Sequence, residues 1–236
     1  MQIDVAHYPI EYAWEGQLVQ STGMFLGRRE GLPAAGLGLP RWWSDQNVLG
    51  TEWQSLSATT GSATIGSATI GSAQKRYGVA RFAFSLRPKE RQEVRRAEFT
   101  VYLHAKDDNP RPVFYDLFPT TNVPLGQLKI GVGSIFKFTG TETALADFTT
   151  TINLNQSVPV SLAEGIGTST ARWVLSPSSA CPLSGNQEVY AVVELPPGVL
   201  GARVTIHLLA EVATSIGPVR GFLPRIEHAA LGWALE

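Results

Sequence analysis

Between residues 76 and 103 apolar and polar positions alternate with a period of two. Ala80, Phe82, Phe84 and Leu86 share one face, and Val79, Arg81 and Ser85 fall mostly on the other. After the charged run RPKERQEV, Ala97, Phe99, Val101 and Leu103 again face one way, with Arg96, Glu98, Thr100 and Tyr102 opposite. Successive strand side chains point to opposite faces, so the pattern predicts two half-buried strands joined by a solvated loop. The same arrangement returns near the C-terminus. AEFTVYL (97–103) matches ARVTIHL (202–208), and FSLRP (84–88) matches VELPP (193–197), a strand ending in Leu and stopped by proline. The chain therefore uses one strand, Pro-containing loop, strand unit twice.

Further strands are predicted at 3–8, 113–118, 130–138, 171–175 and 229–235, and shorter edge strands at 149–154 and 158–162, which are Thr-rich or interrupted by proline. GPVRGFLP (217–224) reads as a turn-rich crossing. About ten strands and no helical periodicity predict an all-β fold: an antiparallel β-sandwich of the jelly-roll or immunoglobulin-like kind, forming a single domain over residues 1–236. The patterning of the strand pair at 79–103 resembles that of jelly-roll modules found on bacterial surfaces and beside glycan-active enzymes.

Two segments depart from the strand pattern. Residues 9–53 are rich in Gly, Pro and Trp and hold Trp14, Trp42, Trp43 and Trp53, four of the six tryptophans. Such rings are expected to cap an end or a face of the sandwich; the sharper alternative makes Trp42 and Trp43, beside Arg41 and Asp45, an exposed platform for a sugar or a protein partner. Residues 57–73 are three pentads of the form SATxG and part of a fourth. A membrane-spanning hairpin of such a segment would make the chain a pore-former, but an odd repeat sends Ile65 and Ile70 to opposite faces. The segment is read instead as a loop or weakly registered hairpin whose Ile65 and Ile70 contact another chain.

Composition narrows the classes of function. A formal net charge of -1 and 17% charged residues give no field to draw nucleic acid or an anionic membrane, and the run RPKERQEVRR is mixed in sign. There is no apolar run of membrane-spanning length and no signal-peptide pattern, so a cytoplasmic or particle-associated location is expected. The single cysteine, Cys181, excludes an intrachain disulfide and reads as a packed thiol. Gly131 and Gly133 lack the third glycine and the helix of a nucleotide loop, and no Gly-x-Ser-x-Gly elbow occurs.

For metals, His104 with Asp107 and Asp108 is the nearest approach to a ligand set, just past a strand end, and reads as a solvated turn. His207 and Glu211, with Glu194 as a conceivable third, lie about 13 Å apart along a strand, too far for one ion. No catalytic residues, cofactor or metal are expected. The expected function is that of a non-catalytic structural or interaction subunit of a larger protein assembly, virion-type or other, working through protein partners or self-association. A carbohydrate-binding module is the alternative, with an enzyme or pore-forming protein behind it.

Overall fold

Each repeated unit crosses the sandwich, laying one long strand in each of its two large sheets. The computed structural model describes residues 2–3, 10–20, 32–44, 76–105, 110–120, 127–131, 137–139, 149–153, 159–178, 182–196, 199, 202–214 and 217–222. Its strands, in chain order, are β1 (Gln2–Ile3), β2 (Tyr12–Gln17), β3 (Val19–Gln20), β4 (Ala34–Gly38), β5 (Arg41–Ser44), β6 (Arg76–Arg87), β7 (Glu93–His104) and β8 (Val113–Phe118). The second half adds β9 (Gln127–Gly131), β10 (Lys137–Thr139), β11 (Thr149–Asn153), β12 (Val160–Glu164), β13 (Thr170–Leu175), β14 (Gly185–Leu195), β15 (Arg203–Thr214) and β16 (Gly217–Phe222). The described residues contain no helix. The excess over ten strands comes largely from ladders of two to four residues, too short to show a period in sequence.

The first large sheet runs β2-β4-β6-β14-β8, with β5 also paired to β6; the second runs β12-β13-β7-β15-β16-β3. Within both, every ladder is antiparallel. At their centres β6 pairs with β14 and β7 with β15, so each copy of the repeat hydrogen-bonds to the other copy. Val101 and its counterpart Ile206 stand directly opposite one another in the second sheet. Arg81 and Tyr190, which correspond when the other half of the repeat is extended, do so in the first. In each sheet, equivalent residues meeting in this way marks a local two-fold between the two copies.

The faces that meet carry the apolar set expected from the alternation. Phe82, Phe84, Phe99 and Val101 are fully buried, and Val204, Ile206 and Leu208 nearly so. Phe84 stacks on Phe99 across the interlayer space, with centroids 4.6 Å apart, and Trp173 of β13 tilts against both Phe82 and Phe99. Trp14 and Trp42 pack against this core from its margin. The first sheet is buried on its other face too: Val79, Ala83, Ser85, Tyr190 and Val192 are enclosed, and even Arg81 is only 2% exposed. Alternation in β6 therefore separates two buried surfaces, not core from water.

Other expectations change. The run at 130–138 is two strands, because Ile130 pairs with Phe138 and Gly131 with Lys137 in an antiparallel ladder. Directly opposed residues of that hairpin have the same parity, so one alternation runs unbroken through both arms. β11 is internal to a small third sheet, β1-β11-β9-β10, with a parallel neighbour in β1. Gly217–Phe222 is a strand, not a crossing, since the twelve-residue β15 offers it a ladder. The 9–53 segment supplies four strands, β2 to β5. The predicted strand at 229–235, the pentad repeat with Ile65 and Ile70, and Cys181 lie outside the described residues.

Candidate functional site

The outward face of the second sheet gathers polar and aromatic side chains from β12, β13, β7 and β15. In β7, Ala97, Phe99, Val101 and Leu103 point into the core, so Glu98, Thr100, Tyr102 and His104 project outward. Register then fixes their neighbours. Thr100 lies between Arg172 and His207, Tyr102 between Thr170 and Thr205, and Glu98 between Val174 and Leu209. Glu98, Thr100, Tyr102, Thr170 and Arg172, with Glu164 and Gly165 at the end of β12, line an open groove of about 570 Å³.

The groove's charges hold each other in place. The Arg172 guanidinium meets Glu164 at 2.9 Å and Glu98 at 3.2 Å, and Arg96 meets Glu98 at 2.8 Å. The groove's own lining holds two carboxylates and one guanidinium, and Arg96 joins the network from outside it. Half-exposed pairs of this kind contribute only about 0–1 kcal/mol each to stability, so their effect is mainly on geometry. The Tyr102 ring packs edge-to-face on His207, centroids 5.0 Å apart, and His104 Nε2 lies 2.9 Å from Thr205 Oγ1.

The turn joining β12 to β13 closes one end. Its backbone is tied to β8 of the opposite sheet, the Phe114 amide donating to the Thr168 carbonyl and the Gly167 amide to the Phe114 carbonyl. Gly165 sits at φ +116°, and a Cβ there would stand 1.9 Å from the Thr170 carbonyl oxygen. Gly165→Ala is accordingly expected to destabilise the chain by about 2–3 kcal/mol, a figure typical of forced backbone strain, seen as a lowered midpoint in urea unfolding. Beside the turn, Leu162 is 45% exposed and Ile166 54% exposed. Leu162 belongs to β12, the strand that ends the sheet, and Ile166 to the turn after it; together they are the exposed apolar side chains of this rim.

The residues singled out from sequence are dispersed. His104 stands at the end of β7, bonded to Thr205 as described; Asp107 and Asp108 lie outside the described residues. Among the described residues, no three His, Cys, Asp or Glu side chains converge on one point. His207 and Glu211 share the outward face of β15, but Glu194 belongs to the opposite sheet, paired with Tyr77 and Val113. Trp42 is half-buried against the core and so close to Gly78 that a Cβ there would fall 2.1 Å from its ring. Trp43 pairs with Val79, and its side chain lies outside what is described. The groove itself escaped sequence reasoning. Alternation put Glu98, Thr100 and Tyr102 on one face, but nothing local announced β12 and β13 as the neighbours completing it.

No protein-family model and no curated protein sequence matches the chain. Among solved structures, a pore forming protein superposes with a TM-score of 0.37 at 6% identity, covering 62% of this chain and 74% of its own. Clostridium perfringens delta-toxin superposes with a TM-score of 0.33 at 9% identity, covering 81% and 86% respectively. Similarity at that level transfers neither topology nor activity to this chain. In addition, no helix among the described residues is long and apolar enough to cross a membrane.

Proposed function

We propose that the chain is a non-catalytic β-sandwich interaction subunit that self-associates within a larger protein assembly, docking through the rim at β12. The observation that carries this reading is the placement of exposed apolar side chains. Among the described residues the large exposed hydrophobics are Leu39, Leu162 and Ile166; Leu162 lies in the terminal strand β12 and Ile166 in the turn that follows it. A terminal strand offers backbone groups for pairing as well as side chains.

Size-exclusion chromatography with light scattering tests the reading. The native chain should run above monomer mass in a concentration-dependent way. The double variant Leu162→Glu, Ile166→Glu should be monomeric with an unchanged circular dichroism spectrum. A native chain that stays monomeric at every concentration, or a variant that assembles like the native chain, overturns it.

A further inference from the structure

We propose that the groove beside this rim binds a neutral sugar, a pyranose unit of an oligosaccharide. A volume of about 570 Å³ lies within the range of roughly 300–1,000 Å³ common to small-ligand sites. Its lining matches hydroxyl groups, which both donate and accept. Glu98 and Glu164 accept, Arg172 donates, and Thr100 and Thr170 do either. The ion pairs within the lining select against charged ligands. An anion entering the groove meets two carboxylates, and a cation meets the Arg172 guanidinium held between them at 2.9 and 3.2 Å. Neutral hydroxyl-rich molecules carry no such penalty. Tyr102 supplies an aromatic surface of the kind against which the apolar C–H face of a pyranose packs, leaving the ring's hydroxyls toward the charged wall.

The site is also built before any ligand arrives. Arg172 is clamped by two partners, Glu98 by Arg96 and Arg172, and Tyr102 by His207. Thr168 fixes the turn at Gly165, accepting from the Thr170 amide at 3.1 Å while its hydroxyl lies 2.9 Å from the Gly165 carbonyl oxygen. Groups whose rotamers are already fixed lose little freedom on binding, which favours affinity.

The test screens the full chain on a printed array of neutral and sialylated oligosaccharides and follows the strongest neutral one by calorimetry. Tyr102→Ala should abolish detectable binding, and Glu164→Gln should weaken it about tenfold, as expected for a lost charged hydrogen bond. Glu164 is half-exposed, so that variant keeps the test in force if Tyr102→Ala fails to fold. Leu162→Ser, which removes apolar rim surface without adding charge beside Glu164, should bind the sugar like the native chain, which separates this site from the assembly surface. Absence of binding to every neutral oligosaccharide, unaltered affinity in Glu164→Gln, or binding confined to sialylated glycans overturns the proposal.

Discussion

Phe99→Ala is expected to lower the unfolding free energy by about 3–5 kcal/mol, the range for deleting a fully buried aromatic side chain. Phe99 has no exposed surface and lies between Phe84, stacked at 4.6 Å, and Trp173, tilted at 6.2 Å. It thus couples the two large sheets directly. Both neighbouring rings are too rigid to collapse into the space left behind, which places the loss toward the upper part of the range. The melting temperature should fall by roughly 10 °C or more for a chain of this size. Phe99→Leu, which keeps most of the volume, should cost only about 1–1.5 kcal/mol. Thermal unfolding followed by circular dichroism distinguishes the two. Equal, small effects in both variants would mean that the sheets are not held together at this point.

Glu188→Ala should cost about 3 kcal/mol through a different mechanism. Arg81 is buried on the second face of the first sheet, its Nη1 3.8 Å from Glu188 Oε1, while the Tyr190 hydroxyl donates to Glu188 Oε2 at 2.6 Å. Removing the carboxylate takes from the buried Arg81 guanidinium the negative charge at 3.8 Å and from the Tyr190 hydroxyl its acceptor, two losses of the costly kind. Arg81→Met, Glu188→Leu and Tyr190→Phe together should recover part of that loss, because the apolar replacements leave neither the charge nor the Tyr190 hydroxyl without Glu188 as its partner.

The cluster also has a pH signature. Burial, reinforced by the Glu188 carboxylate, pushes the Tyr190 hydroxyl well above its usual value. A group with a raised native pKa contributes stability that is fully present below the unfolded value of about 10 and is lost as pH rises from there through the native value. Urea unfolding between about pH 9 and 11, on either side of the value for an unfolded tyrosine, should show a steeper alkaline loss in the native chain than in Tyr190→Phe. Parallel pH profiles would remove Tyr190 as the titrating group.

The duplicated strands were legible from sequence because Phe82, Phe84, Phe99 and Val101 alternate without interruption and recur in Val204, Ile206 and Leu208. Period puts them on one face, and their aromatic and branched side chains mark that face as interior. What sequence left open was governed by partners distant along the chain. β16 reads as a turn until β15 is beside it, and the run 130–138 reads as one strand because the opposed residues of β9 and β10 have the same parity. Arg81 looked solvent-facing for the same reason: period separates faces but does not say which is covered. The groove is the clearest instance, since Tyr102 and Arg172 belong to strands separated by most of the central chain and meet only through the β7–β13 ladder.

The crossing of each repeated unit between sheets has a kinetic consequence. β6 and β7 are consecutive but belong to different sheets, and their central partners are β14 and β15, in the other copy of the repeat. Within neither unit, therefore, do the two strands pair with each other. The central ladders form only after a long loop closes, and folds dominated by such distant pairings reach the native state in about milliseconds to seconds rather than microseconds. On the ribosome, at about 5–20 residues per second, the first copy emerges several seconds before the strands that complete its sheets. Over that interval it presents two long edges rich in Phe and Val, the stage at which this chain is most exposed to aggregation and most dependent on chaperones.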